Sequence, residues 1–113
     1  SSGRSEIWYV NYVKGQETLI LTDEKRSFAN PCLSPDGKWL AVEGNSTSAI
    51  NNVVNTDIFA VRTDGSRLTQ LTYNPSFDMC PVWAKDGRSI YFLSTRANHD
   101  NKYNIWRMNF NIE

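Results

Sequence analysis

The sequence predicts an all-β fold built from repeated antiparallel sheets. Three observations support this fold class. An apolar strand pattern occurs three times, Asp-Gly turns recur between strands, and no segment shows helical periodicity. Because a repeat of this length is typical of stacked structural units, we expect several small sheets and not one irregular sheet.

The repeated strand pattern reads EIWYV at 6–10, DIFAV at 57–61 and NIWRM at 104–108. Between these strands, Leu21-Thr22 matches Leu71-Thr72, and the segment PCLSPDGK at 31–38 matches PVWAKDGR at 81–88. An apolar run follows each Asp-Gly pair, WLAV at 39–42 and IYFL at 90–93. These matches predict one β-rich unit that is copied along the chain.

Tight turns are predicted at the Asp-Gly pairs that end at Gly37, Gly65 and Gly87, with a looser turn at Lys14-Gly15. Glycine can take the positive φ that a hairpin turn needs, and aspartate can accept hydrogen bonds from its own turn. Together, turns and apolar runs predict nine strands. Their expected ranges are 6–12, 17–22, 30–34, 38–43, 57–62, 68–72, 80–84, 89–94 and 104–109.

The repeat resembles that of the TolB family of β-propellers, in which a Pro-x-Trp-Ser-Pro-Asp-Gly turn precedes two apolar strands. Leu33 replaces the usual Trp in one copy, and Ala84-Lys85 replaces Ser-Pro in the other. The resemblance implies antiparallel blades of four strands, lettered a to d from the propeller axis outward. Residues 1–113 are then a single partial domain, with outer strands of a first blade at 6–22, a complete blade at 30–72 and most of a third at 80–109.

Nine strands form only an incomplete ring, since closed propellers have four to eight four-stranded blades. Three explanations remain open. The chain can be a piece of a longer propeller, copies can assemble head to tail into a ring, or two copies can cover the open blade faces as a dimer. Self-association through these faces is therefore an expected property.

Composition narrows the range of partners. Twelve basic side chains balance twelve acidic ones, which disfavours nucleic acid as a partner. No apolar run is long enough to cross a bilayer, and the first residues lack the apolar stretch of a signal peptide. Cys32 and Cys80 lack zinc-site spacing, so we predict buried thiols, with a disulfide as the alternative. We predict no metal and no cofactor.

The predicted loops at 23–29, 44–56, 73–79 and 95–103 are longer than the Asp-Gly turns and leave the blades on one face of the propeller. We name this the long-loop face and expect any binding there. The candidate binding residues are Phe28, Tyr73, Phe77, Asn98, His99, Asp100 and Tyr103. The alternative is that these side chains only close over the blade tops, and that His99-Asp100 is a polar loop and not a general base with its orienting carboxylate.

We predict a non-catalytic scaffold that recognises a protein partner, or a glycan, on the long-loop face. No Gly-x-Ser-x-Gly nucleophile elbow is found in these 113 residues, which disfavours catalysis by the chain itself. One alternative is the propeller portion of a prolyl-oligopeptidase-like hydrolase, and another is a self-assembling structural protein. The resemblance to TolB implies a periplasmic or otherwise extracytoplasmic location, and the composition also allows a cytoplasmic one.

Overall fold

The structure, a computed structural model, describes residues 6–11, 13–23, 26–47, 54–73, 76–96 and 102–111. Within these residues the fold is all-β, and its nine strands are antiparallel, as predicted. The strands are β1 Ile7–Asn11, β2 Gln16–Leu21, β3 Ser27–Leu33, β4 Trp39–Thr47, β5 Val54–Arg62, β6 Thr69–Gln70, β7 Asp78–Trp83, β8 Ser89–Ser94 and β9 Asn104–Asn109.

These strands form three separate sheets. The first holds β1 and β2, the second has the order β3-β4-β5-β6, and the third has the order β7-β8-β9. Each strand pairs with its neighbour in sequence, so every sheet is an up-and-down meander. Within the described residues, the middle sheet has the four strands of a complete blade, and the first and third sheets are part-blades of two and three strands.

Tight turns connect the strands as the Asp-Gly pairs predict. Gly37 and Gly87 have φ of 75° and 72°, values that only glycine adopts without strain. In the first of these turns the Ser34 hydroxyl donates to the Asp36 carboxylate (2.6 Å), and the Trp39 N–H donates to the Ser34 hydroxyl (3.0 Å). The turn thus joins the end of β3 to the start of β4 through one serine.

The middle blade is apolar on both faces because successive side chains of a strand point to opposite sides of the sheet. Leu40, Val42, Phe59 and Val61 pack against the first part-blade. Trp39, Ala41 and Ala60 pack on the other face against Trp83 and Ile90 of the third sheet. Trp83 lies between the middle and third sheets, and its indole N–H donates to the Cys32 carbonyl oxygen (2.8 Å).

Both inner strands contain a β-bulge that the sequence pattern did not reveal. The register of β3 shifts between Ala29 and Cys32, and that of β7 shifts between Met79 and Val82. Asn30 and Cys80 lie inside these shifts at φ of 51° and 55°, which is unusual for residues other than glycine. The bulge is therefore part of the repeat.

Seven of the nine strands differ from their predicted bounds by one to four residues at one end or both, and three of these differences bear on the fold. β3 begins at Ser27 and not at residue 30, β6 is limited to Thr69–Gln70, and the hairpin of β4 and β5 extends to Thr47 and back from Val54. The longer hairpin converts both ends of the predicted loop 44–56 into strand. Tertiary packing explains the early start of β3, because the Phe28 ring fits against the Phe59 ring in the core.

Candidate functional site

Four of the seven predicted binding residues, Phe28, Tyr73, Phe77 and Tyr103, lie in the described part of the chain, and the last three are exposed. Tyr73 is 75% exposed, and Phe77 and Tyr103 also present much of their rings to solvent. Asn98, His99 and Asp100 lie outside the described residues. An exposed aromatic ring next to hydrogen-bonding groups is a common anchor for a protein partner.

Phe28 requires a correction, because it lies in strand β3 and not in a loop. Its ring is only 1% exposed and makes an edge-to-face contact with Phe59, with ring centroids 5.8 Å apart. The residue opposite Phe28 on β4 is Gly44, which leaves room for both rings. Phe28 therefore belongs to the core between the first and middle sheets.

A buried polar network joins the start of β7 to the end of β8. Asp78 is fully buried, and its Oδ1 accepts hydrogen bonds from the hydroxyls of Ser76 (2.8 Å) and Ser94 (2.6 Å). The Arg96 guanidinium donates to Asp78 Oδ2 (2.6 Å) and to the Ser94 hydroxyl (2.9 Å). We call Ser76, Asp78, Ser94 and Arg96 the seam network.

Two aromatic rings hold the same arginine from the other side. The Arg96 guanidinium carbon lies 5.1 Å from the centre of the Phe92 ring and 5.6 Å from that of Trp106. These distances are within the range of cation–π attraction. Because carboxylate, hydroxyl and rings all contact Arg96, its head group is fixed in one position where the third sheet meets the long-loop face.

Asp57, on β5 of the middle blade, is an acidic neighbour of the seam network. It accepts weak hydrogen bonds from Thr72 and Gln70, both at 3.3 Å. Burial, together with the nearby Asp78 carboxylate, raises the pKa of Asp57 to about 6. The hydrogen bond from Thr72 and the charges of Arg96 and Arg26 oppose this increase.

Backbone contacts fix the position of Phe77, which directly precedes Asp78 of this network in the chain. The Phe77 N–H donates to the Thr95 hydroxyl (3.0 Å), and the Thr95 N–H donates to the Phe77 carbonyl oxygen (3.3 Å). An isolated parallel bridge links Phe77 with Thr56 of the middle blade. Phe77 is thus held by both sheets, and its exposed ring stands at the seam between them.

A second polar cluster lies on the inner strands, at the bulges. The Glu43 Oε1 atom accepts from the Asn30 side-chain amide and from the Cys80 N–H (3.1 Å). Burial and the Glu43 carboxylate raise the pKa of the Cys80 thiol. The thiolate is the nucleophilic form, so this environment keeps Cys80 unreactive. Cys32 and Cys80 are free, half-buried thiols and do not form the alternative disulfide.

The buried polar groups near Phe77 are hydrogen-bonded within the protein. Among the described residues, every buried side-chain nitrogen or oxygen has a hydrogen-bond partner. The Asp78 carboxylate is fully buried and accepts hydrogen bonds from three side chains, so it is not exposed to a molecule in solvent for proton transfer. In the ranges that the structure covers, no three His, Cys, Asp or Glu side chains come together as a metal site.

Sequence reasoning missed the seam network. Asp78 and Arg96 are 18 residues apart and meet only because Asp78 pairs with Ser94 across β7 and β8. One signal was present in the sequence: Asp78 and Ser94 take the repeat positions that Phe28 and Gly44 occupy in the middle blade. A charged residue in place of a core phenylalanine predicts a local polar partner.

No known protein-family model matches the sequence. The chain is 34% identical over 65 residues to dipeptidyl-peptidase 5 of Porphyromonas gingivalis, a match that spans 58% of this chain and 10% of that protein. Among the described residues, no helix has the length and apolarity to cross a membrane.

Three solved structures share the fold. Putative TolB from Agrobacterium tumefaciens has a TM-score of 0.71 at 25% identity, over 92% of this chain and 37% of that one. TolB from Acinetobacter baumannii has a TM-score of 0.70 at 22% identity, over 93% and 24%. The tricorn protease has a TM-score of 0.68 at 22% identity, over 83% and 9%.

This chain therefore spans well under half the length of each of these proteins. The likeness to both TolB structures extends over nearly all of its residues. It agrees with the three antiparallel sheets and the two interblade cores. In its fold, the chain is a partial β-propeller of the TolB type, with one complete blade between two part-blades.

Proposed function

We propose that this chain is a non-catalytic scaffold that binds a partner polypeptide through its long-loop face. The observation that carries the proposal is the exposure of two aromatic residues, Tyr73 and Phe77, the second of which is fixed by backbone contacts and directly precedes the buried Asp78 of the seam network. A fixed aromatic ring loses little conformational entropy on binding. The resemblance to TolB supports a location in the cell envelope.

A peptide-display selection against the purified chain tests this proposal. The binding of selected peptides is measured by calorimetry for the wild type, for Tyr73→Ala/Phe77→Ala, and for Tyr9→Ala, which removes a similarly exposed ring from β1. We expect the double variant to weaken binding about tenfold or more and Tyr9→Ala to leave it nearly unchanged. Peptides that bind all three proteins equally would exclude the long-loop face as the binding site.

A second candidate function is the propeller portion of a hydrolase whose catalytic domain lies elsewhere in a longer polypeptide. Its support is the likeness to dipeptidyl-peptidase 5 in sequence and to the tricorn protease in fold. A serine-reactive fluorophosphonate probe, applied to the protein isolated from its native source, separates the two candidates. Labelling of a larger chain that contains this sequence supports the hydrolase, and absence of labelling supports the scaffold.

A further inference from the structure

The end of strand β6 leads directly to Tyr73, one of the exposed aromatic residues of the long-loop face. The strand has two residues, Thr69 and Gln70, which pair with β5. After them, the Leu71 N–H donates to the Ile58 carbonyl oxygen (2.7 Å). Tyr73 follows two residues later and is 75% exposed. The contacts that hold the chain between Gln70 and Tyr73 therefore decide where this aromatic ring stands.

Three polar side chains hold this segment where strand pairing has ended. The Thr72 hydroxyl accepts from the Ile58 N–H (2.9 Å) and donates to Asp57 Oδ1 (3.3 Å). The Gln70 side-chain amide donates to Asp57 Oδ2 (3.3 Å) and to the Thr72 carbonyl oxygen (2.9 Å). This carbonyl belongs to the peptide bond that leads into Tyr73. We call Asp57, Gln70 and Thr72 the strand clip.

The strand clip is buried, and charged groups from three other elements act on its carboxylate. Asp57 is 5% exposed and Thr72 is 7% exposed. Among the described residues, the charged groups that act on Asp57 are Arg26 before β3, Asp78 of β7 and Arg96 after β8. The residue opposite Asp57 on β4 is Gly44, which brings no charge, and the contacts from β6 and the residues after it are neutral.

The charge of Asp57 works against the closed clip. Burial and the Asp78 carboxylate outweigh the two arginines and raise the pKa of Asp57 to about 6. When the clip opens and water reaches the carboxylate, this pKa returns towards 3.8. The closed clip thus binds the proton more tightly than the open clip. It is closed most firmly below pH 4 and loosens as the pH rises to about 6.

We propose that the strand clip is a proton-sensitive fastening that sets the position of Tyr73 on the long-loop face. With Asp57 protonated, the end of β6 stays closed on β5. With Asp57 ionised, repulsion from Asp78 and hydration of the charge favour release of the segment from Gln70 to Tyr73. The consequence for a partner rests on the proposed function, whereas the opening of the clip is a property of the chain alone.

Amide hydrogen exchange, followed by NMR between pH 4.5 and pH 7.5 on the chain without a ligand, tests the clip. Ile58 is the reporter, because its N–H donates to the Thr72 hydroxyl. We expect its protection factor, which corrects for faster intrinsic exchange at high pH, to fall about tenfold or more across this range. Val42, fully buried in the central strand β4, reports global unfolding. Low urea concentrations should speed exchange at Val42 but not at Ile58, since opening of the clip exposes little surface.

Conservative variants show which groups form the clip. Asp57→Asn stays neutral, so the protection factor of Ile58 should no longer depend on pH. Thr72→Val removes the hydroxyl and should remove most of this protection at every pH, whereas Thr72→Ser should keep it. The proposal is overturned if protection of Ile58 in the wild type is independent of pH, if it falls equally in Asp57→Asn, or if urea speeds exchange at Ile58 as much as at Val42.

Peptide binding then shows whether the clip acts on the long-loop face. A display-selected peptide without titratable side chains is measured by calorimetry at pH 5 and pH 7.5. We expect the wild type to bind it several-fold more weakly at pH 7.5 and Asp57→Asn to bind it equally at both pH values. Equal wild-type affinities would contradict control of Tyr73 by the clip. If no peptide binds at either pH, the proposed function fails, while the exchange data still decide whether the clip exists.

Discussion

At the scale of single residues, one serine decides how firmly the first Asp-Gly turn is held. Ser34→Ala removes the hydroxyl that accepts from the buried Trp39 N–H and donates to Asp36. We expect a loss of about 1–2 kcal/mol in the free energy of unfolding, because a buried donor loses its partner. Urea unfolding followed by tryptophan fluorescence measures this loss.

The third sheet supplies the control, since Ala84 stands where Ser34 does. Ala84→Ser adds a hydroxyl beside Asp86 without removing a contact. We expect this variant to keep or slightly raise the urea midpoint. If Ser34→Ala leaves the urea midpoint of the protein unaltered, the role assigned to Ser34 is wrong.

Asp57 gives the fold a specific pH dependence. Its pKa is about 6 in the folded chain and 3.8 in its ordinary state, so the folded form binds the proton more tightly. Its contribution to stability is therefore complete below pH 4 and is lost as the pH rises to about 6. Asp57→Asn stays neutral at every pH. We expect its free energy of unfolding to increase by about 1–3 kcal/mol relative to that of the wild type between pH 4 and pH 7.

Thermal denaturation at pH 4.5, 5.5 and 7.5 measures this change. Asp64→Asn is the matched control, because hydrogen bonds from Ser66 lower the pKa of Asp64 and place its titration below that window. For Asp64→Asn, we expect the difference in thermal midpoint from the wild type to be independent of pH. If the difference for Asp57→Asn is also independent of pH, Asp57 is ionised throughout this range and its assigned pKa is wrong.

At the scale of strands, the absence of a side chain at Gly44 lets β3 and β4 pair where the Phe28 and Phe59 rings pack against the sheet. A Cβ atom at this position would lie 2.8 Å from the Phe59 ring and 3.1 Å from the Phe28 ring. Both rings are buried in one cluster and have little room to move. We expect Gly44→Ala to cost about 1–3 kcal/mol through overpacking.

A double-mutant cycle tests this mechanism. Phe28→Leu replaces one of the two rings with a smaller side chain. Gly44→Ala should therefore reduce the free energy of unfolding less in the Phe28→Leu variant than in the wild type. Free energies of unfolding are compared for the four proteins. If the two changes in free energy of unfolding simply add, Gly44 is needed for a reason other than the space beside the Phe28 ring.

Local signals in the sequence were sufficient for most strands. β8 and β9 have the predicted bounds, because apolar alternation and an Asp-Gly turn lie within a few residues of each strand. The early start of β3 was not predictable in this way, since Phe28 is stabilised by Phe59, 31 residues away, and by the small Gly44. The seam network depends likewise on pairing between strands. The sequence therefore indicated the exposed aromatic residues but not the contact between Asp78 and Arg96.

At the scale of the whole molecule, the two end surfaces of the partial propeller differ from the rest of the surface. Trp8 and Tyr9 of the first sheet and Leu33 of the middle sheet are exposed at one end, and Val82, Tyr91 and Ile105 of the third sheet are exposed at the other. Large exposed apolar patches favour association, because contact removes apolar area from water. We expect the mean mass in light scattering to rise with protein concentration.

Charges placed on both surfaces should oppose that association without disturbing the cores. In Trp8→Lys/Ile105→Lys, two exposed apolar side chains become cationic, and each end then repels the same end of another copy. We expect this variant to stay monomeric at concentrations where the wild type associates, with nearly the same thermal midpoint. Lys85→Glu, in an exposed turn, should associate like the wild type. If Lys85→Glu is as effective as the double variant, net charge controls association and the open blade faces do not.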